Sequence, residues 1–161
     1  MLARKITSKT DCILRLSRGE DIIPAIITFC KKENIRSGSF RAIGAVENAD
    51  VGYYDLASKQ YGSKKYSEAM EVASMTGNIA LVDGEPFVHA HVVLSGISAG
   101  TENTTIGGHL FGAIVAVTLE VHLEAFSEPI ERIMDETIGL KLLNLDVCND
   151  DSASPRSKMV E

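Results

Sequence analysis

The sequence contains few cysteines, and no two of them form a Cys-x-x-Cys pair. Cys12, Cys30 and Cys148 are odd in number and widely separated, which argues against a disulfide framework and against a thiolate metal site. The first residues, MLARKITSKTDCILRLS, contain no long apolar run, so neither a secretory signal nor a transmembrane helix is predicted. We therefore expect a cytoplasmic protein with reduced thiols and no membrane association.

Positive charge is also scarce, since 16 Lys and Arg residues stand against 22 Asp and Glu residues and give a net charge of −6. Nucleic-acid affinity depends largely on neutralisation of phosphates by Lys and Arg, so this balance disfavours direct DNA binding. The short basic pairs form no stripe along the chain. The pair Gly107-Gly108 lacks the GxxxxGK[ST] and GxGxxG contexts, and is only a weak signal for phosphate binding.

The length and composition fit one globular domain. The chain has 161 residues, of which 45% are hydrophobic and 24% are charged, as in an ordinary soluble protein. We expect a single domain over residues 1–146. Residues 147–161 are polar, contain Pro and Ser and show no periodicity, so they are predicted to be a disordered C-terminal tail.

The order of the predicted elements indicates an α/β (α+β) fold. The run CILRLS predicts a first strand, and apolar residues at helical spacing from Ile23 to Cys30 predict one prominent N-terminal helix with Pro24 in its first turn. After Ser37 the chain consists of β-rich runs separated by Gly, Asn and Asp, which is typical of an antiparallel sheet. We therefore predict a mainly antiparallel β-sheet with a single major helix.

Several local features of this sheet are also predicted. Asn48 or Asp50 is expected to turn the chain between two strands, and Gly44 to mark a bulge or a close backbone approach. Asp83-Gly84 predicts a hairpin turn. Ser95 to Thr105 is expected to be a surface loop.

Two further runs follow the loop. The run AIVAVTLEVHL predicts a strand that places five apolar side chains on one face, Val115, Val117, Leu119, Val121 and Leu123. The residues after Ser127 are expected to form a short helical or 3₁₀ turn followed by an extended segment.

Three of the four histidines lie close together in the sequence. His89 and His91 are two residues apart in the strand-like run PFVHAHVVL, so their side chains are expected on one face of the sheet. His109 begins the next long apolar run, which can pair with the first and bring a third imidazole to the same place. Three imidazoles leave one position of a zinc ion open, but imidazole suits Zn, Cu, Fe and Ni alike. The alternative is that the histidines have a structural role at an interface.

Glu120 and His122 share one face of the predicted strand in AIVAVTLEVHL. We consider both as groups that could orient a ligating histidine, because such histidines usually donate their other N–H to a carboxylate or a carbonyl. For His122 the preferred interpretation is an exposed or interface residue, and the alternative is an additional ligand or a group that orients one.

Four stretches, RAIGAVENADVGYYD, GNIALVDGEPFVHAHVVLSG, GGHLFGAIVAVTLEV and DETIGLKLLNL, resemble the PPC family, the plants-and-prokaryotes conserved domain. The resemblance extends to about Leu145. It implies a mainly antiparallel sheet with one prominent helix, a homotrimer, and a metal site at the positions of His89, His91 and His109. The fold is also distantly similar to acetolactate decarboxylase, which holds zinc with three histidines. Prokaryotic relatives are often labelled predicted DNA-binding proteins, but the Arg-Gly-Arg-Pro element that precedes the plant domain is absent from this sequence.

Three hypotheses follow. The first is a stand-alone, homotrimeric protein that binds a divalent metal ion, Zn²⁺ in our expectation, through the three histidines and accepts an unknown small ligand. The second is a DNA-binding or transcription-associated regulatory protein. The third is a lyase-like metalloenzyme in which Glu120 or Glu102 carries protons. We assign no catalytic residue and expect a binding protein rather than an enzyme.

Overall fold

The computed structural model describes residues 3–96 and 104–145. The predicted tail, Glu102 and Cys148 lie outside the described residues. The described part contains one α-helix and eight β-strands: β1 (Ser8–Ser17), α1 (Ile22–Lys32), β2 (Gly38–Asp55), β3 (Gln60–Tyr66), β4 (Met70–Val82), β5 (Glu85–Gly96), β6 (Thr104–Phe126), β7 (Arg132–Asp135) and β8 (Leu140–Leu143). The α+β fold class predicted from the sequence is confirmed. No helix in the described part of the chain is long and apolar enough to cross a membrane.

Four long strands pair with one another in a closed ring. The six-stranded sheet has the order β1-β6-β5-β4-β2-β3, and β2 also pairs with β6. All pairings between named strands are antiparallel. The ring of β2, β4, β5 and β6 has side chains on two faces, an inner one that forms the core and an outer one. β7 and β8 form a separate two-stranded hairpin.

Helix α1 covers part of the core. Ile22, Ile26 and Cys30 are fully buried on one side of the helix, and α1 packs against β5 and β6. Pro24 lies in the first turn, where its missing N–H costs no hydrogen bond. Along β5, Val88, Ala90, Val92 and Leu94 are buried, so the alternate residues face outward.

The turn predicted near Asn48 or Asp50 is wrong, because β2 continues without a break from Gly38 to Asp55. Asn48 does adopt a positive φ of 52°, but the pairing of β2 with β6 is only irregular there, between Glu47 and Asp50. A bulge has therefore formed where a turn was expected, and it bends the strand while the ladder continues.

The prediction for Gly44 is confirmed. Its φ is +149°, and the registers of β2 with both β4 and β6 shift next to it. A Cβ atom at this position would overlap the backbone oxygen of Thr118. The bulge and the close approach thus occur together. Asp83 and Gly84 both have positive φ, as the predicted hairpin turn requires.

Three other expectations need correction. Val117 was expected on the buried face of β6, but it is 68% exposed, and Ala116 is buried in its place. Ser95, Gly96, Thr104 and Thr105 were expected in a surface loop but pair with one another in the β5–β6 ladder, and residues 97–103 lie outside the described residues. The helical or 3₁₀ turn expected after Ser127 is instead the β7–β8 hairpin.

Candidate metal centre

Two neighbouring strands position the three histidines. His89 and His91 lie on the outward-facing side of β5, and His109 lies at the point where the pairing of β6 with β5 ends. His91 and His109 are direct partners in that ladder. The residue before His109 is a glycine, which lets the backbone of β6 lie close to β2 at this point. A Cβ atom on Gly108 would overlap the backbone oxygen of Gly52 on β2. All three side chains come from one chain.

The imidazole rings form a compact triangle. The ring centroids lie 5.1 Å apart for His89 and His91, 5.1 Å for His89 and His109, and 5.6 Å for His91 and His109. One nitrogen of each ring lies within 4.8 Å of the other two. In a tetrahedral zinc site with Zn–N bonds of about 2.1 Å, ligand nitrogens are roughly 3.4 Å apart. Side-chain movements of about an ångström would therefore close the triangle around an ion.

His109 packs against two aromatic rings that also contact each other. Its centroid lies 5.1 Å from that of Tyr61 and 4.7 Å from that of Phe111. Its Nδ1 atom is buried and has no hydrogen-bond partner among the described residues. A buried imidazole nitrogen without a partner is costly, and a metal ion is one group that would satisfy it. The three histidines also fit a metal ion by their chemistry, since three imidazoles are a common ligand set for zinc.

The surroundings keep two of the rings neutral. Burial, with the nearby Arg132, His109 and His91, lowers the pKa of His89 to about 4. Burial also lowers the pKa of His109, with further contributions from His91 and Arg132. Both rings are therefore uncharged near pH 7, which is the form that binds a metal ion.

The group that contacts the triangle was not predicted from the sequence. Arg132, the first residue of β7, has its Nη2 atom 3.3 Å from Nδ1 of His89 and donates a hydrogen bond of 2.8 Å to Oδ1 of Asn78. Its Nη1 atom donates a hydrogen bond of 2.9 Å to the backbone oxygen of Lys141. Asn78 is the direct partner of His89 in the β4–β5 ladder. A polar Asn78 in the apolar run GNIALV was a signal in the sequence, but nothing in the sequence around Arg132 marked it.

Glu120 and His122 lie away from the triangle, so the expectation that they orient its histidines is not supported within this chain. Both follow His109 on the same strand by at least eleven residues, which is roughly 30 Å or more at the usual rise. Nε2 of His122 lies 3.4 Å from a carboxylate oxygen of Asp11. Glu120 and His122 instead line a groove of about 400 Å³ on the outer face of the sheet.

A cleft adjoins the triangle. Its volume is about 530 Å³, and it runs from His89 and His109 to the β7–β8 hairpin. Tyr61, Arg132 and Lys141 contribute the other polar groups of its wall. An ion held by three histidines has an open coordination position, and such an ion can polarise an oxygen atom of a ligand or acidify a water molecule.

Residues 4–127 match the family described as the Plants and Prokaryotes Conserved (PCC) domain. The chain belongs to this family. The membership confirms the resemblance found in the sequence motifs. The match covers all of the strands that build the ring, including the three histidines. The PCC match ends before the β7–β8 hairpin, which carries Arg132.

Several solved structures are similar to this chain along nearly all of their length. A metal-containing protein from Archaeoglobus fulgidus has 36% sequence identity and a TM-score of 0.81, over 89% of this chain and 99% of that one. A plant- and prokaryote-conserved protein from Pyrococcus horikoshii has 34% identity and a TM-score of 0.79, over 89% and 97%. A candidate DNA-binding protein from Ralstonia eutropha has 31% identity and a TM-score of 0.72, over 83% and 90%. No curated protein matches the chain.

Proposed function

We propose that this PCC-domain protein is a homotrimer in which each chain binds one divalent metal ion, Zn²⁺, through His89, His91 and His109. The observation that carries the proposal is the triangle of three imidazole nitrogens within 4.8 Å of one another. The buried, unpartnered Nδ1 of His109 supports it, as does the description of the Archaeoglobus fulgidus relative as metal-containing. The open coordination position makes this a site for exchangeable ligands rather than a closed structural site.

Elemental analysis of untagged, dialysed protein tests the metal proposal. We expect about one metal ion per chain in the wild type and none in a His89→Ala/His91→Ala variant whose fold is verified by circular dichroism. His122→Ala is the matched control, because it removes the histidine that lies outside the triangle, and it should retain the ion. Absence of metal from the wild type, both as purified and after incubation with zinc, would refute the proposal.

Exposed apolar side chains on the outer face of the sheet are an argument for the proposed trimer. Three large apolar side chains are solvent-exposed there: Ile13 at 77%, Ile43 at 60% and Val117 at 68%. Ile13 and Ile43 belong to β1 and β2, the strands on either side of β6. Ile13 pairs with His122 and Ile43 pairs with Glu120, so the two isoleucines lie diagonally opposite each other across β6. Ile13 and Ile43 also line the groove that contains Glu120 and His122, and exposed apolar side chains on such a surface are typical of an interface between subunits.

We also place the protein in the cytoplasm. Cys12 and Cys30 are free thiols, which persist in a reducing compartment. Nothing else in the described part of the chain bears on location.

Association with DNA is the second candidate, and the description of the Ralstonia eutropha relative favours it. The net charge of −6 opposes it, because phosphate contacts need clustered cations. Retention of the metal-loaded protein on duplex DNA at increasing salt concentrations separates the two functions. We expect no retention at physiological salt; retention that weakens steeply with salt would establish DNA binding.

A further inference from the structure

The cleft beside the triangle contains a cation with no anionic partner. Among residues 3–96 and 104–145, Arg132 makes no salt bridge, and its hydrogen bonds go to the neutral groups of Asn78, His89 and Lys141. Its Nε atom is buried and has no partner. The guanidinium carbon lies 5.6 Å from the centre of the Phe87 ring, on which the side chain rests.

No carboxylate of residues 3–96 or 104–145 lines the cleft, although the protein as a whole is acidic. The other lysine or arginine in its wall, Lys141, already pairs with Asp83 at 2.7 Å, and Asp83 lies outside the cleft. Arg132 is therefore the uncompensated charge. The rest of the wall is mainly apolar, and is formed by Ile23, Val82, Phe87, Val88, Leu110, Phe111, Leu140 and Leu142.

Metal binding would add to this imbalance. Three neutral imidazoles leave the charge of a divalent ion uncompensated, and Arg132 adds a further positive charge next to His89. A partly buried cluster of positive charge is stable only when an anion or solvent neutralises it. Since no acidic side chain among the described residues lines the cleft, neutralisation comes from solvent or, more strongly, from an anionic ligand.

Metal binding would also release a donor of Arg132. A guanidinium group can only donate, so in its contact with Arg132 the Nδ1 atom of His89 must accept. If Nδ1 binds the ion, its lone pair is no longer available; if Nε2 binds, Nδ1 carries the proton and cannot accept. In either case Nη2 of Arg132 loses His89 as an acceptor and can donate to another group.

We propose that the cleft binds a small organic carboxylate, with its carboxylate group on Arg132 beside the metal position and its apolar part against the wall formed by Phe87, Phe111 and Leu142. This inference rests on the proposed function, because the open position of the ion lies at the same end of the cleft. Arg132 supplies charge-assisted hydrogen bonds, which are about twice as strong as neutral ones. The apolar wall distinguishes such a ligand from inorganic phosphate.

Isothermal titration calorimetry of the zinc-loaded protein tests this inference with three probes: 4-methylpentanoate, its neutral amide and inorganic phosphate. We expect the carboxylate to bind at least tenfold more tightly than either of the others. Arg132→Gln should weaken carboxylate binding by about tenfold to a hundredfold, because it removes a charged hydrogen bond. Arg132→Lys keeps the charge and should lose less. Arg15→Gln, which removes a cation from β1, is the matched control and should bind as the wild type does.

The outcomes separate this inference from the proposed function. If the wild type holds metal but the carboxylate does not bind, binds no more tightly than its amide or phosphate, or binds Arg132→Gln equally well, the carboxylate site is refuted and the metal site stands. If the protein holds no metal but still binds the carboxylate in an Arg132-dependent way, the metal site is refuted and the carboxylate site stands. Circular dichroism and metal content of each variant show whether a loss of binding reflects misfolding.

Discussion

His91 and His109 lie directly opposite each other in the β5–β6 ladder, although they are 18 positions apart in the sequence. Residues opposite each other on antiparallel strands have Cβ atoms about 5 Å apart and point to the same face. His89 lies two residues away on β5, so the register of the β5–β6 ladder brings three imidazole rings together. A slip of one residue would turn His109 to the other face and dismantle the triangle.

Replacing His109 with Ala should lower the zinc affinity by more than about a hundredfold, since loss of an outer hydrogen-bond partner alone costs ten- to a hundredfold. Competition with a chromophoric chelator measures this affinity. His122→Ala should leave it unchanged. Equal affinities in the two variants would show that His109 is not a ligand.

Gly44→Ala should destabilise the domain by about 3 kcal/mol or more, because the new Cβ atom overlaps the Thr118 backbone oxygen and the residue has a positive φ. Gly112→Ala is the matched control on β6: its Cβ atom would meet nothing within 4 Å, and its change in stability should be small. Chemical denaturation of both variants gives the free energies of unfolding. A small effect of Gly44→Ala would mean that the bulge relaxes easily.

Ile43→Glu should dissociate the trimer, because it places a charge in the apolar patch on the outer face of the sheet. Leu56→Glu is the control: Leu56 is 59% exposed, nearly as much as Ile43, but it follows β2 and lies outside the patch. Size-exclusion chromatography with light scattering reports the mass of each variant. If Ile43→Glu remains a trimer, the interface lies elsewhere; if the wild type is a monomer, the trimer itself is refuted.

The stability of the protein should decrease at alkaline pH because of Cys30. Burial, with a smaller contribution from Cys12, raises the pKa of the Cys30 thiol from 9.0 to about 11. Below pH 9 the thiol is protonated in both the folded and the unfolded state and has no effect. Between pH 9 and 11 only the unfolded state loses the proton, so the free energy of unfolding falls by up to about 3 kcal/mol.

Urea denaturation across this pH range, compared with Cys30→Ala, isolates the effect. The variant is less stable below pH 9 because of the cavity it creates, but its free energy of unfolding should fall less steeply than that of the wild type above pH 9. Parallel curves would mean that the Cys30 thiol ionises equally well in the folded protein.

The sequence predicted the elements whose signal is local. The apolar spacing around Ile26 predicted α1, Asp83-Gly84 predicted a hairpin turn, and the spacing of His89 and His91 placed both side chains on one face. Features that depend on tertiary contacts could not be predicted in this way. The contact of Arg132 with His89 depends on where the β7–β8 hairpin packs, and no periodicity encodes that position.

The errors in β2 and β6 have a similar origin. Asn48 is a residue type that favours turns, but β2 is paired with β6 on both sides of it, at Glu47 and at Asp50, so the local preference yields a bulge. The irregular pairing of β2 with β6 around Ala45 shifts the alternation of β6, which buries Ala116 and exposes Val117. The alternation of apolar and polar residues in the sequence of one strand cannot reveal a register shift that the neighbouring strand imposes.

The closed ring of strands also constrains when the chain can fold during synthesis. β6 pairs with β1, β2 and β5, and it is the last long strand to leave the ribosome. Until it emerges, β1 has no partner strand, the ring is open, and the apolar inner faces of β2, β4 and β5 remain uncovered. Contacts between residues so distant in sequence also form slowly. The nascent chain therefore stays open to aggregation until translation of the domain is nearly complete.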